Sequence, residues 1–174
     1  MADKTFSYKL YIGIDPGLGG SVAVIDNRDN SIRFYDTPTL ELKKGKKIKH
    51  EYEVPSMVNI VNDLTMLAFK SEIIVGLEKI HSMPGQGVVS MFSMGYGYGL
   101  WLGILSSLKI AMVLVPPQRW KKIMMMGMDK EKDASRLKAM QMFPQISDQL
   151  NLKKHHNRAD ALLIAEFVRR TYTL

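Results

Sequence analysis

The chain has 174 residues, 46% of them hydrophobic, with 24 Lys and Arg against 17 Asp and Glu for a net charge of +7. That length predicts one domain with a full core, and the positive excess favours a polyanionic partner, either nucleic acid or an anionic membrane surface. No Cys is present, which excludes disulfides and thiolate zinc sites.

The first residues, Met-Ala-Asp-Lys-Thr-Phe, carry no signal-peptide core. Lys9 to Ile14 is a short apolar run that ends in the turn signal Asp15-Pro16-Gly17. Ser21 to Asp26 and Ser31 to Tyr35 are two further runs, so an antiparallel meander of three strands is expected. Residues 38–53 carry Lys43, Lys44, Lys46, Lys47 and Lys49 around Gly45 and read as a polar loop or a hairpin tip. Val54 to Phe69 has helical spacing, with Val58, Val61, Leu64, Leu67 and Ala68 on one face. Ser71 to Leu77 is nearly all apolar, as suits a central strand.

Val88 to Leu108 reads as a long helix rich in Gly and Met, and Ala111 to Val115 as a strand stopped by Pro116-Pro117. The longest apolar stretch, Leu100 to Val115, is broken by Ser106, Ser107 and Lys109, too short and interrupted for a membrane span. Three helices follow, over Gln118–Met126, Lys130–Phe143 and Asn157–Thr171. This order predicts a single α/β domain over residues 1–174, with a mixed sheet of about five strands flanked by helices. A soluble, intracellular protein with no membrane partner is expected.

Three acids stand at ends of well-separated segments: Asp15, Glu78 and Asp160. A carboxylate is costly to bury unless something pairs with it. Hard cations such as Mg²⁺ take oxygen ligands and phosphate oxygens together, so a divalent ion and a phosphate substrate suit this set. Residues two apart in a strand share a face, which puts Gly13 beside Asp15 and Gly76 beside Glu78. Those glycines either leave open space for a metal and a phosphate backbone or permit close helix packing. His156 and Asn157 precede Asp160 by four and three residues, on the same helical face. Each is either a metal ligand or water-orienting group, or simply a surface histidine and an N-cap asparagine.

Ile12-Gly13-Ile14-Asp15-Pro16-Gly17, the strand-terminal Glu78 and Asn157-Arg158-Ala159-Asp160-Ala161-Leu162 resemble the RuvC family of Holliday junction resolvases, within the RNase H-like superfamily. The likeness runs from residue 10 to about residue 170. Lys132-Asp133-Ala134-Ser135, Phe143-Pro144 and Gln118-x-Trp120-Lys121 look more like its phage, plasmid and organellar branches. The resemblance implies an RNase H-like fold and a homodimeric endonuclease that nicks four-way DNA junctions symmetrically. Two Mg²⁺ or Mn²⁺ ions per active site would leave 5′-phosphate and 3′-hydroxyl ends. Asp15 would bridge the ions, with Glu78 and Asp160 on either side. The position three before the last acid is Asp or His in many members and is Asn157 here. The fourth ligand is therefore divided between Asn157 and His156, with His156 preferred as a ligand or proton shuttle.

Lys121, Lys122, Lys130 and Lys132 become DNA contacts on this reading, with Lys43–Lys49 available to a junction arm. The segment 79–87 directly follows Glu78; either His81 and Met83 wedge between bases and Gln86 contacts one, or the segment is a plain mobile loop. The aromatic and Gly residues of 88–108 suit a dimer interface, with an intramolecular helix–sheet contact as the alternative. The expected location is cytoplasmic or nucleoid-associated, with a viral or organellar source. Rival readings are another RNase H-like nuclease, a non-catalytic junction-binding protein, or an actin-like ATP-binding domain.

Overall fold

The computed structural model describes residues 8–45, 47–81, 85–128 and 133–172. Among these residues seven strands and five α-helices occur in the order β1 (Leu10–Asp15), β2 (Ser21–Asp26), β3 (Ser31–Asp36), β4 (Thr39–Lys44), β5 (Lys47–Tyr52), α1 (Val54–Leu67), β6 (Ile73–Glu78), α2 (Val88–Ser107), β7 (Ala111–Val115), α3 (Pro117–Met124), α4 (Ala134–Met142) and α5 (His156–Tyr172). The main sheet has five strands in the order β3-β2-β1-β6-β7. Strands β1, β2 and β3 form the expected antiparallel meander, while β6 runs parallel to β1 and β7 parallel to β6. This is the α/β mixed sheet read from the sequence.

Strand alternation divides the core into two layers. Leu10, Ile12, Ile14, Val75 and Leu77 join Met57 and Val61 of α1 and Trp101 and Leu105 of α2. On the other face Tyr11, Ile74 and Val115 join Leu162, Phe167 and Val168 of α5, with Trp120 and Met124 of α3 beneath. By the same alternation Asp15 follows Tyr11 and Gly13, and Glu78 follows Ile74 and Gly76, towards the α5 side.

Gly13 and Gly76 are register partners on adjacent strands. A Cβ on Gly13 would lie 2.0 Å from the Ala161 carbonyl oxygen and 2.5 Å from the Ala165 nitrogen. One on Gly76 would lie 2.5 Å from Val168 Cγ2. The glycines are therefore filled by α5 pressed against the sheet, which corrects the reading of them as open space for a metal. Ala161 through Val168 are all buried, so α5 acts as a core helix.

Residues 38–53 form a β-hairpin, paired as a two-stranded sheet apart from the main one. Helix α1 stops at Leu67, two residues before the predicted Phe69, because Ala68 is extended. The predicted start of α4 at Lys130 lies outside the described residues; the helix begins at Ala134. Two short 3₁₀ segments, Pro144–Leu150 and Lys153–His155, lead into α5 and were not predicted. Helix α2 is long and apolar enough, by length and composition, to cross a membrane. The Leu100–Val115 window overlaps only its C-terminal end, from Leu100 to Ser107. In this fold α2 lies on the core through Gly97, Trp101, Ile104 and Leu105.

Candidate active site

Ile14 pairs with Leu77 across parallel strands, so the residues that follow them, Asp15 and Glu78, emerge side by side at one end of the sheet. The backbone N–H of Gly17 donates to Asp15 Oδ1 at 3.4 Å, and the turn that follows closes from Gly20 N to the Gly17 oxygen at 2.9 Å. Pro116-Pro117 ends β7 and starts α3 with Pro at its first turn, a position where a missing N–H costs nothing. One turn later the buried Trp120 donates its indole N–H to Glu78 Oε1 at 2.9 Å. Helix α5, seated on the glycine pair, brings Asp160 to the same end.

Burial pushes the Asp15 carboxyl up to about 7, and the neighbouring charges of Glu78 and Asp160 raise it further within that value. Burial also raises Glu78, against the Trp120 hydrogen bond that favours its ionised form; Asp160 raises it too. Asp160 is raised by burial, opposed by a hydrogen bond from Ser135 and by the charges of Lys121 and His156. Lys121, exposed on α3 with its ammonium 5.1 Å from the Trp120 ring centroid, draws all three acids down. Like charges that oppose one another's ionisation at a buried point need a cation to be held ionised together.

Asp160 Oδ1 is buried with no hydrogen-bond partner. That orphaned acceptor and an all-oxygen donor set from three acids fit a hard divalent cation. Among the described residues, no three His, Cys, Asp or Glu side chains form a ready-made metal cage, so water and phosphate oxygens would have to complete the coordination.

The exposed His156 has Nδ1 3.1 Å from the Lys153 oxygen and is close enough to Asp160 to lower its pKa. Asn157 donates its amide N–H to the Gly19 carbonyl, which commits the nitrogen and leaves Oδ1 as its potential ligating atom. His81 lies near enough to Glu78 to favour its ionised form. His81 and Gln86 line a cleft of about 230 Å³ with Ile80, Met91, Met94 and Tyr98. Gln86 Nε2 reaches Met94 Sδ at 2.8 Å. Lys122 is exposed on α3 beside Lys121. Met83, Lys130 and Lys132 lie outside the described residues. Of the residues assigned to an interface on α2, Trp101 is fully buried in the core, whereas Phe92 and Tyr96 are exposed.

Two site residues escaped the sequence reading. Trp120 was visible only as part of a motif, and its role under Glu78 depends on the β7–α3 turn. Tyr52 gave no signal at all. Its hydroxyl lies 3.3 Å from the Pro16 oxygen and 3.1 Å from the Ser93 oxygen, tying the turn after Asp15 to α2.

No known family profile matches the chain. The chloroplastic Holliday junction resolvase MOC1 of Chlamydomonas reinhardtii is 39% identical over 83 residues, which are 48% of this chain and 9% of that protein. The match thus spans less than a tenth of the length of this curated relative. Thermus thermophilus RuvC in complex with a Holliday junction substrate superposes with a TM-score of 0.55 at 18% identity, covering 95% of this chain and 98% of that one. A second Thermus thermophilus RuvC structure gives a TM-score of 0.51, again at 18% identity, over 94% and 97% of the two chains. The chain has the RuvC form of the RNase H-like α/β fold and is similar in sequence to an organellar resolvase.

Proposed function

We propose that this protein is a Holliday junction resolvase: a crossover junction endodeoxyribonuclease that hydrolyses one phosphodiester in each of two symmetric strands. The observation that carries the proposal is the meeting of Asp15, Glu78 and Asp160 from β1, β6 and α5, with Asp160 Oδ1 left unpaired. The resolvase name of the sequence relative and the Holliday junction bound to the structural neighbour support the substrate.

Asp15, Glu78 and Asp160 would hold two Mg²⁺ or Mn²⁺ ions, with Asn157 Oδ1 as the fourth donor and His156 as the proton carrier at the exposed rim. Such ions, when bound, lower the pKa of an attacking water and neutralise the departing 3′ oxygen. Trp120 fixes the rotamer of Glu78. Lys121 offers its charge to the scissile phosphate, and Lys122, Lys130 and Lys132 extend the contact along the strand. The cleft holding His81 and Gln86 suits an unstacked base at the junction centre, and Met83, which follows His81 in the sequence, is the candidate wedge.

A homodimer through α2 would set two such sites on a two-fold junction. Val88, Val89, Phe92 and Tyr96 are exposed there, and a Cβ on Gly95, Gly99 or Gly103 would meet nothing within 4 Å, which supports close approach of a second helix. The similar chloroplastic protein supports an organellar lineage.

The test is incubation with a synthetic four-way junction and with matched duplex, with and without Mg²⁺ or Mn²⁺. Paired symmetric nicks with ligatable ends are expected on the junction alone, and only with metal. Asp160→Asn is expected to bind the junction without cutting it; cutting at the wild-type rate would refute the site.

A further inference from the structure

The β4–β5 hairpin is unused by the chemistry above. Among the described residues it pairs with no strand of the main sheet. Every described side chain from Leu40 to Glu51 is exposed. Its sequence carries five lysines, Lys43, Lys44, Lys46, Lys47 and Lys49, against Glu41 and Glu51. An isolated hairpin is marginal in water, so what anchors its root matters. The root is held beside the site: Tyr52 is buried and meets the Pro16 and Ser93 carbonyls, and Glu53 N donates to the Pro38 oxygen at 3.0 Å.

We propose that this hairpin is an arm-binding element that enters the major groove of duplex DNA a few base pairs from the reacting phosphate. The inference rests on the nuclease reading above and assigns that site its grip on the substrate arm. Three observations choose the partner. Directly opposed residues share a face, so Leu42 and Lys49 lie on one side and Lys43 and Ile48 on the other, with Lys47 on the side of Leu42. Lysines on both faces suit a ribbon flanked by phosphates on both walls of a groove, and the major groove admits a two-stranded ribbon.

The apolar residues are also split, Leu40 and Leu42 on one face and Ile48 on the other. No single apolar face exists to lie in a lipid interface. Finally, the exposed part of the hairpin carries no Tyr, Phe or Trp, so it lacks the stacking surface that single-strand binders use. Each six-residue strand extends about 17 Å at about 3.3 Å per residue. That reach corresponds to about five base pairs of duplex at 3.4 Å per step along one strand.

Lys49 is paired to Glu51 at 2.7 Å, so Lys43 and Lys47 are the residues to change. Junctions with arms of about three base pairs, shorter than the reach of the hairpin, and of about twelve, closed by tetraloops so that short arms stay paired, separate the hairpin from the catalytic centre. The wild-type protein is expected to bind the long-armed junction more tightly. Lys43→Ala/Lys47→Ala should lose about tenfold on long arms and little on short ones, and its slope of log K against log salt should fall by about 2. Lys43→Arg/Lys47→Arg should restore both. Nicking under single turnover at saturating protein should stay at the wild-type rate.

Unchanged long-arm affinity and slope in the alanine variant would overturn the proposal. Loss of binding to phosphatidylserine–phosphatidylcholine vesicles with unchanged DNA affinity would overturn it in favour of a membrane surface. A wild-type protein that cuts no junction refutes the nuclease reading instead, and the slope change on plain duplex then decides the hairpin alone.

Discussion

Asp15→Asn should make the metal-free protein more stable at pH 8. Burial first, then Glu78 and Asp160, lift the Asp15 carboxyl from an ordinary 3.8 to about 7. Below pH 4 the group is protonated in both folded and unfolded chains. Between pH 4 and 7 the folded protein keeps the proton and the unfolded chain loses it. The unfolded state then binds fewer protons, so stability falls as pH rises through this window. Above pH 7 the whole penalty is in place.

The move from 3.8 to about 7 corresponds to about 4 kcal/mol. Because Glu78 and Asp160 share the repulsion and can take up the proton themselves, about 2 kcal/mol is the expected net gain for the amide. For a chain of this size that is a rise in Tm of about 4–8 °C. Thermal and urea unfolding in chelator at pH 4 and pH 8 measure it. The variant should match wild type at pH 4 and exceed it at pH 8. With Mg²⁺ or Mn²⁺ the order should reverse, since only the carboxylate gains by binding the ion. A variant less stable than wild type at pH 8 in chelator, or a difference that does not shrink at pH 4, would refute the electrostatic account.

Gly13→Ala places a methyl 2.0 Å from the Ala161 carbonyl oxygen; helix α5 must shift, costing about 3 kcal/mol or more, and junction cleavage should fall with the denaturation midpoint. Trp120→Phe removes the N–H donated to Glu78 and also leaves the volume of the pyrrole ring empty in the core. It should destabilise by about 1.5–3 kcal/mol where Glu78 is ionised, and, with Glu78 raised further, move the acid limb of the pH–rate profile upward; an unmoved limb counts against the Glu78 assignment. His156→Ala and Asn157→Ala separate ligand from shuttle. Loss of Asn157 Oδ1 should raise the Mn²⁺ concentration needed for half-maximal rate, whereas loss of His156 should lower the rate at saturating Mn²⁺ and be partly rescued by imidazole.

Much of the fold was legible because period and punctuation agree in the strands. The runs before Asp15 and across Ser21–Asp26 and Ala111–Val115 are bounded by Asp-Pro-Gly, Asn-Arg-Asp-Asn and Pro-Pro, and they appear as β1, β2 and β7 to within a residue. The three acids were legible as candidates because Asp15 and Glu78 each close a strand and Asp160 stands one turn into α5. The 3₁₀ segments at 144–155 were not, since their conformation follows from packing of Ile146 and Leu150 on α5 and leaves no period in the sequence.

By itself the sequence determined which residues alternate, where each strand of the main sheet ends to within a residue, and therefore that Asp15 and Glu78 stand at strand termini. Those are local properties of spacing and turn chemistry. Only the tertiary structure decided what Gly13 and Gly76 are for. One sequence pattern allowed either a vacant metal berth or a helix seat, and α5 occupies the space, with the Ala161 and Ala165 backbone at Gly13 and the Ile164 and Val168 side chains at Gly76. Only the tertiary structure set Trp120 under Glu78 and joined Tyr52 to the turn after Asp15. Each contact spans more than thirty residues of sequence, and non-local contacts are fixed by how the layers pack, not by the period of either segment.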